Sequence, residues 1–277
     1  MSIVLRGEVP VHYEARGTGP AIVFLHSFLC SSALFCHQVA RLQGAYHTIN
    51  IDLRGHGRSG AWAKGCTLDH LVDDVLAVLD AEKVASAILV GLSLGGFVAM
   101  RMALAQPERV QALVLMGTEA GPQSRSKRIQ DLILQQVLRM FGPRVLIGAL
   151  VSAMLGKTTR RTQPQLCKQY HNNFLHMDTG SMLRCIDAVT HRDSLLHRLN
   201  AVSCPTVVIV GDEDTALPLA KSELIKHAIN GAELHVVSRA GHLSAVEQPE
   251  AVNRILVDFL QSSFPAHAIG LVEGAAT

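Results

Sequence analysis

Ala87-Ile88-Leu89-Val90-Gly91-Leu92-Ser93-Leu94-Gly95-Gly96-Phe97 is the stretch from which the rest of this chain is read. Its first half is a continuous apolar run, the pattern of a strand buried on both faces of a parallel sheet. The residues that follow, Phe97-Val98-Ala99-Met100-Arg101-Met102-Ala103-Leu104-Ala105, read as a helix. Between the two the chain must reverse within a few residues, which drives Ser93 toward positive φ, a costly conformation for a residue with a side chain. Gly91 and Gly95 lack a Cβ and let strand and helix approach closely on either side of it. A serine hydroxyl is therefore expected at the tip of a sharp turn, beside the free N–H groups of a helix start. Gly-x-Ser-x-Gly alone arises by chance about once in 3,000 windows. The strand before it and the helix after it give it its weight.

Outward from this turn the same alternation repeats. On the N-terminal side, Val9 to Tyr13, Ala21 to Leu25 and Thr48 to Asp52 read as strands, and Thr67 caps a helix with Leu68, Leu71, Val72, Val75, Leu76 and Leu79 on one face. On the C-terminal side, Ala112 to Met116, Thr206 to Val210 and Leu234 to Val237 read as strands, with helices near Pro218 to Ile229 and Pro249 to Leu260. Strands separated by helices imply an α/β protein with a mostly parallel sheet and helices on both faces. The alternation stops from about Gly121 to Ser194, where only helical patterns are found. The expected organisation is thus a core of residues 1–120 and 196–277 with a helical cap of residues 121–195. The tail from Ser263 is small and polar and is expected to be mobile.

The chain has 277 residues and a net charge of +2, with 48% hydrophobic and 17% charged residues. That balance fits a globular enzyme and gives no reason for a nucleic-acid or membrane partner. No apolar leader is evident at the N-terminus, and six cysteines without C-x-x-C spacing read as reduced, mostly buried thiols, so a cytoplasmic protein is expected. No His/Asp/Glu spacing resembles a metal cluster, and no cofactor is implied. A homo-oligomer stays open.

A serine hydroxyl needs a base, and the base needs an orienting carboxylate. Ala240-Gly241-His242-Leu243 follows the last strand and offers His242 as the base. Gly211-Asp212-Glu213-Asp214 follows the strand before it and offers Asp214, with Asp212 and then Glu119 as competitors. The order Ser, Asp, His is the one expected when the serine sits on such a turn. The carbonyl oxygen of a substrate gains negative charge during attack and needs donors. The backbone N–H of Leu94 is one candidate, and the N–H of Phe28, in the loop after the Ala21–Leu25 strand, is the other.

Together, His26-Ser27-Phe28, Asp52-Leu53-Arg54-Gly55-His56-Gly57-Arg58-Ser59, Gly91-Leu92-Ser93-Leu94-Gly95-Gly96, Gly211-Asp212-Glu213-Asp214 with Pro218, and Gly241-His242 resemble the α/β-hydrolase superfamily. The likeness covers all but the middle segment, and the motifs come in the family's order. Gly-Leu-Ser-x-Gly-Gly and the run His242 to Pro249 look most like the lactonase and esterase branch that includes 3-oxoadipate enol-lactonases. Where the family usually has His-Gly this chain has His26-Ser27, as enol-lactonase-like members also do. The resemblance implies hydrolysis of a small-molecule ester or lactone through an acyl-enzyme on Ser93. A C–C bond hydrolase of ring-cleavage products and a non-catalytic ligand receptor use the same fold. Haloalkane dehalogenase chemistry would want a carboxylate in place of Ser93.

Bland roles are expected for most other polar residues. His26 and Ser27 support the oxyanion loop. His56 and Arg54 hold their glycine-rich loop. His12, His37, His47, His70, His227, His235 and His267 are surface or core residues. The middle segment carries eleven Lys and Arg against four Asp, which reads as a solvated helix face or as a lid steering anionic substrates. Met140, Phe141, Met154 and Phe174 either line an acyl pocket or pack the lid.

Overall fold

The computed structural model describes residues 2–265. Eight strands form one sheet: β1 Ser2–Arg6, β2 Val9–Arg16, β3 Ala21–Leu25, β4 His47–Ile51, β5 Ala87–Leu92, β6 Val110–Met116, β7 Thr206–Gly211 and β8 Glu233–Val237. Their order is β1-β2-β4-β3-β5-β6-β7-β8. β1 pairs antiparallel with β2 and β2 with β4, while every other neighbouring pair is parallel. The helices are α1 Cys36–Leu42, α2 Leu68–Ala81, α3 Leu94–Ala105, α4 Arg125–Phe141, α5 Ile147–Met154, α6 Lys157–Thr162, α7 Pro164–Leu175, α8 Thr179–Thr190, α9 Leu219–Ala228, α10 Ser244–Glu247 and α11 Pro249–Ser263. No described helix is long and apolar enough to cross a membrane.

The apolar runs account for the layers. β3, β5 and β7 are buried at every position, as expected of parallel strands covered on both faces. Their side chains divide between two cores, one on each side of the sheet. α2 turns Leu68, Leu71, Val72, Val75 and Leu79 inward, and its start is closed by the Thr67 N–H donating to Nδ1 of His70. α3 is apolar nearly all round and buried from Leu94 to Ala103, because it packs on the centre of the sheet. Gly95 makes that close packing possible: a Cβ there would lie 1.9 Å from the carbonyl oxygen of Leu25.

β1 was not foreseen in the sequence. Ile3 and Leu5 on it are exposed, so this edge strand lacks the buried alternation by which strands are recognised. Between β6 and β7 the described chain is helical, α4 to α8. The cysteines are all unpaired, but only Cys30 and Cys185 are buried and Cys36 is exposed, short of the mostly buried set expected. The expected mobility of the tail, and His267, fall outside the described residues from position 266 onward.

Candidate active site

The strand order reverses between β3 and β5, since β4 lies on one side of β3 and β5 on the other. The loops that leave β3 and β5 therefore diverge and open a crevice at the carboxyl ends of the strands, where α/β sheets place their ligands. Ser93 sits at that edge with φ 54° and ψ −107°, the strained turn that the glycine spacing implied. Its N–H donates to the carbonyl of Met116 at 2.9 Å and its own carbonyl accepts from the hydroxyl of Thr118 at 2.9 Å. β6 thus holds the turn from both sides.

Asp214 ends the turn after β7, and Nδ1 of His242 lies 2.9 Å from its Oδ2. The carboxylate accepts, so Nδ1 carries the proton and Nε2 presents a lone pair. The other oxygen of Asp214 accepts from the N–H groups of Ala216 and Leu217 at 2.9 and 2.8 Å. Gly117, at φ 44°, makes room for the pair: a Cβ there would lie 3.2 Å from Oδ2 of Asp214 and 3.3 Å from Nδ1 of His242. The competitors are engaged elsewhere. Asp212 accepts from the Ser238 hydroxyl at 3.2 Å. Glu119 pairs with Arg192 and, at 2.7 Å, with Lys221.

Ser93, His242, Ser27, Phe28 and Leu94 line one cavity of about 200 Å3, below the range of typical small-molecule sites. A larger hollow of about 510 Å3 around His56, Asn173 and His176 contains none of Ser93, Asp214 and His242. Volume therefore does not mark the site; the convergence of side chains does.

His26 is buried, and its Nε2 accepts from the Leu53 N–H at 2.9 Å. Its Nδ1 therefore carries the proton and donates to the carbonyl of Ser27 at 2.8 Å. Burial holds the imidazole pKa below its usual value and keeps the ring neutral. Carbonyl and N–H of a trans peptide point in opposite directions, so pinning the Ser27 carbonyl orients the Phe28 N–H away from it. Leu29, at φ 64°, carries strain in the same loop. Ser27 is fully buried, and among the described residues its hydroxyl has no partner.

The loop after β4 is fixed as foreseen. Arg54 donates to both oxygens of the buried Asp74, at 2.7 and 2.5 Å, and His56 donates from Nδ1 to the Arg54 carbonyl at 3.0 Å.

The helices between β6 and β7 close the cavity with Leu134, Leu150, Met154, Ile186 and Val189. Charged residues also reach the wall, and each has a partner. Lys127 donates to Asp131 at 2.8 Å, Gln123 bridges Asp131 and Arg192, and Arg192 pairs with Glu119. The Arg192 guanidinium also lies 4.7 Å from the centre of the Phe97 ring. Sequence reading missed this network because its members lie on α4, on the loop after β6 and at the end of α8. Of the four apolar residues singled out in the middle segment, Met154 lines the cavity, Phe174 packs in the core, and Met140 and Phe141 point to solvent.

With fold and site in view, the chain belongs to the α/β-hydrolase family: the family model described as alpha/beta hydrolase fold matches residues 20–249. A 2-hydroxy-6-oxononadienedioate/2-hydroxy-6-oxononatrienedioate hydrolase of Burkholderia vietnamiensis is 32% identical, over 92% of this chain and 92% of that protein. The structure of a thermophilic esterase from Thermogutta terrifontis superposes with a TM-score of 0.88 at 26% identity, covering 94% of this chain and 96% of that one. The enol-lactonase from Burkholderia xenovorans gives 0.87 at 26% identity, covering 94% and 100%.

Proposed function

We propose that this chain is a serine hydrolase that cleaves a small carboxylic ester or lactone through an acyl-enzyme on Ser93. The observation that carries the reading is the 2.9 Å contact of His242 with Asp214, with His242 opening onto the same cavity as the strained Ser93. In this reading Nε2 of His242 takes the Ser93 proton as Oγ attacks the acyl carbon. The proton then passes to the leaving alcohol, and water, activated by the same nitrogen, releases the acid. Asp214 holds the tautomer and stabilises the imidazolium. The N–H groups of Leu94 and Phe28 take the oxyanion, and loss of one such donor costs on the order of 3 kcal/mol in the barrier. Residues 121–195 act as the cap. The cavity suits a short, uncharged acyl group, since it is small and each cation in its wall is already matched by a carboxylate.

A fluorophosphonate should label Ser93 and fail to label Ser93→Ala, and the wild type should turn over a p-nitrophenyl acetate. Absence of both would leave a ligand receptor on the same fold. Hydrolysis of a C–C bond is the second reading, supported by the 32% identical relative. Side-by-side turnover of a neutral lactone, a neutral acyclic ester, a carboxylate-bearing ester and a vinylogous diketone decides between them, with the neutral substrates expected to lead.

A further inference from the structure

α4 has two faces that do different things. At about 100° per residue, Lys127, Asp131, Leu134 and Leu138 lie on one side, toward the cavity and core. Ile129, Leu132, Ile133 and Met140 fall within one sector on the opposite side, and all four are exposed, Ile133 at 59% and Met140 at 71%. Phe141 and Val145 extend this apolar strip past the helix end, also exposed. A strip of large apolar side chains so concentrated marks a surface that is covered in use.

Its border is basic. Arg125, Arg128 and Arg139 cluster along the Leu132 edge and Arg144 lies beyond the C-terminus, all of them exposed. The helix's one acid, Asp131, is buried on the inner face against Lys127. A net charge of +2 for the chain conceals this local concentration. An apolar strip edged by arginines is the pattern of a helix lying in the plane of a bilayer surface, its apolar side chains among the acyl tails and its cations at anionic headgroups. A second copy of this chain matches it less well. A two-fold pair of α4 helices would bring the Arg125–Arg128 end of one onto the Arg139–Arg144 end of the other, cation against cation.

We propose that the outer face of α4 is a docking surface for an anionic phospholipid bilayer. The proposal stands on this helix alone and does not depend on Ser93 being a nucleophile. It replaces the expectation, drawn from overall charge, of no membrane partner. Docking places the lipid surface one helix thickness from the cavity, whose wall is the other face of the same helix.

The test is flotation of the full chain with vesicles of phosphatidylcholine alone or mixed with phosphatidylglycerol. Binding to the mixed vesicles only, weakened by added salt, is expected. The triple substitution Arg125→Gln, Arg128→Gln, Arg139→Gln should weaken it on the order of a hundredfold. The triple substitution Leu132→Gln, Ile133→Gln, Met140→Gln should abolish it, with ester turnover in solution and the thermal midpoint retained in both. Removing Lys64, Lys83 and Lys168, cations off this face, should change it little. No binding to the mixed vesicles, or binding unaffected by either α4 triple, overturns the proposal. A dimer by light scattering that Ile133→Asp converts to monomer, without vesicle binding, also overturns it and assigns the face to a second copy.

Discussion

The carboxylate of Glu247 accepts a hydrogen bond at 2.8 Å from the backbone N–H of Gly156, 91 residues earlier in the chain. Its other oxygen accepts from the N–H of Leu243 at 3.0 Å. One buried side chain thus ties the start of α6 to the loop that carries His242. Burial raises its pKa, against the pull of these N–H donors. Glu247→Ala should lower stability by about 1–3 kcal/mol, the cost of stranding buried N–H groups. It should also lower kcat, because the His242 loop loses its anchor. Thermal denaturation and ester turnover of the same preparation check both.

Asp214→Asn should cost on the order of 10,000-fold in kcat with little change in fold, since the amide no longer enforces the proton on Nδ1 of His242. Asp212→Asn should stay within a few-fold of wild type, because its carboxylate meets Ser238 and the Ala240 N–H at 3.4 Å instead. Equal losses in the two variants would refute the assignment.

Gly117→Ala places a methyl against both members of the His242–Asp214 pair, at a backbone angle that side chains resist. A loss of about 1 kcal/mol in stability is expected from the conformation. Turnover should fall much further than that loss explains, and single-turnover acylation measured below the unfolding transition separates the two effects.

Ser27 makes an opposed pair of predictions. A buried hydroxyl without a partner costs about 1–3 kcal/mol, so Ser27→Ala should stabilise the free protein. The same hydroxyl lines the cavity, and its loss should lower kcat about tenfold if it completes its hydrogen bond only with the reacting substrate. A variant that is both less stable and fully active would contradict both halves.

Stability should fall on mild acidification. His26 and His56 are buried and held neutral, with burial pulling His26 below its ordinary value and His56 to about 3. The unfolded chain takes up both protons near pH 6.5. Above that pH the contribution is fully present; below it the unfolded state binds more protons, and stability drops by up to about 1.4 kcal/mol per pH unit for each histidine. Urea midpoints between about pH 5 and 6.5 should show this slope, reduced in His56→Gln.

Most of the core was legible from local pattern. The run Ala87–Leu92 is a strand because every side chain on it is apolar and the sheet covers both faces. α2 and α11 follow from helical spacing, and the turn at Ser93 from its flanking glycines. The middle segment was read correctly as helical but not in its detail. Its exposed apolar strip on α4 and its buried phenylalanine on α7 look alike in one dimension, and only the neighbours of each decide which is covered. The basic excess was visible, whereas the pairing of Arg192 with Glu119, 73 residues away, was not.

By itself, the sequence determined the layered sheet, the sharp turn and the order of the polar candidates along the chain, because hydrophobic period and glycine placement act over a few residues. Which of three carboxylates meets His242 was decided by tertiary structure alone. β6, β7 and β8 lie side by side, so Glu119, Asp212 and Asp214 all end near one sheet edge, and a hydrogen bond at 2.9 Å selects among groups that differ by only a few ångströms. The same holds for the charge of the cavity, which depends on whether each cation finds a carboxylate from a distant part of the chain.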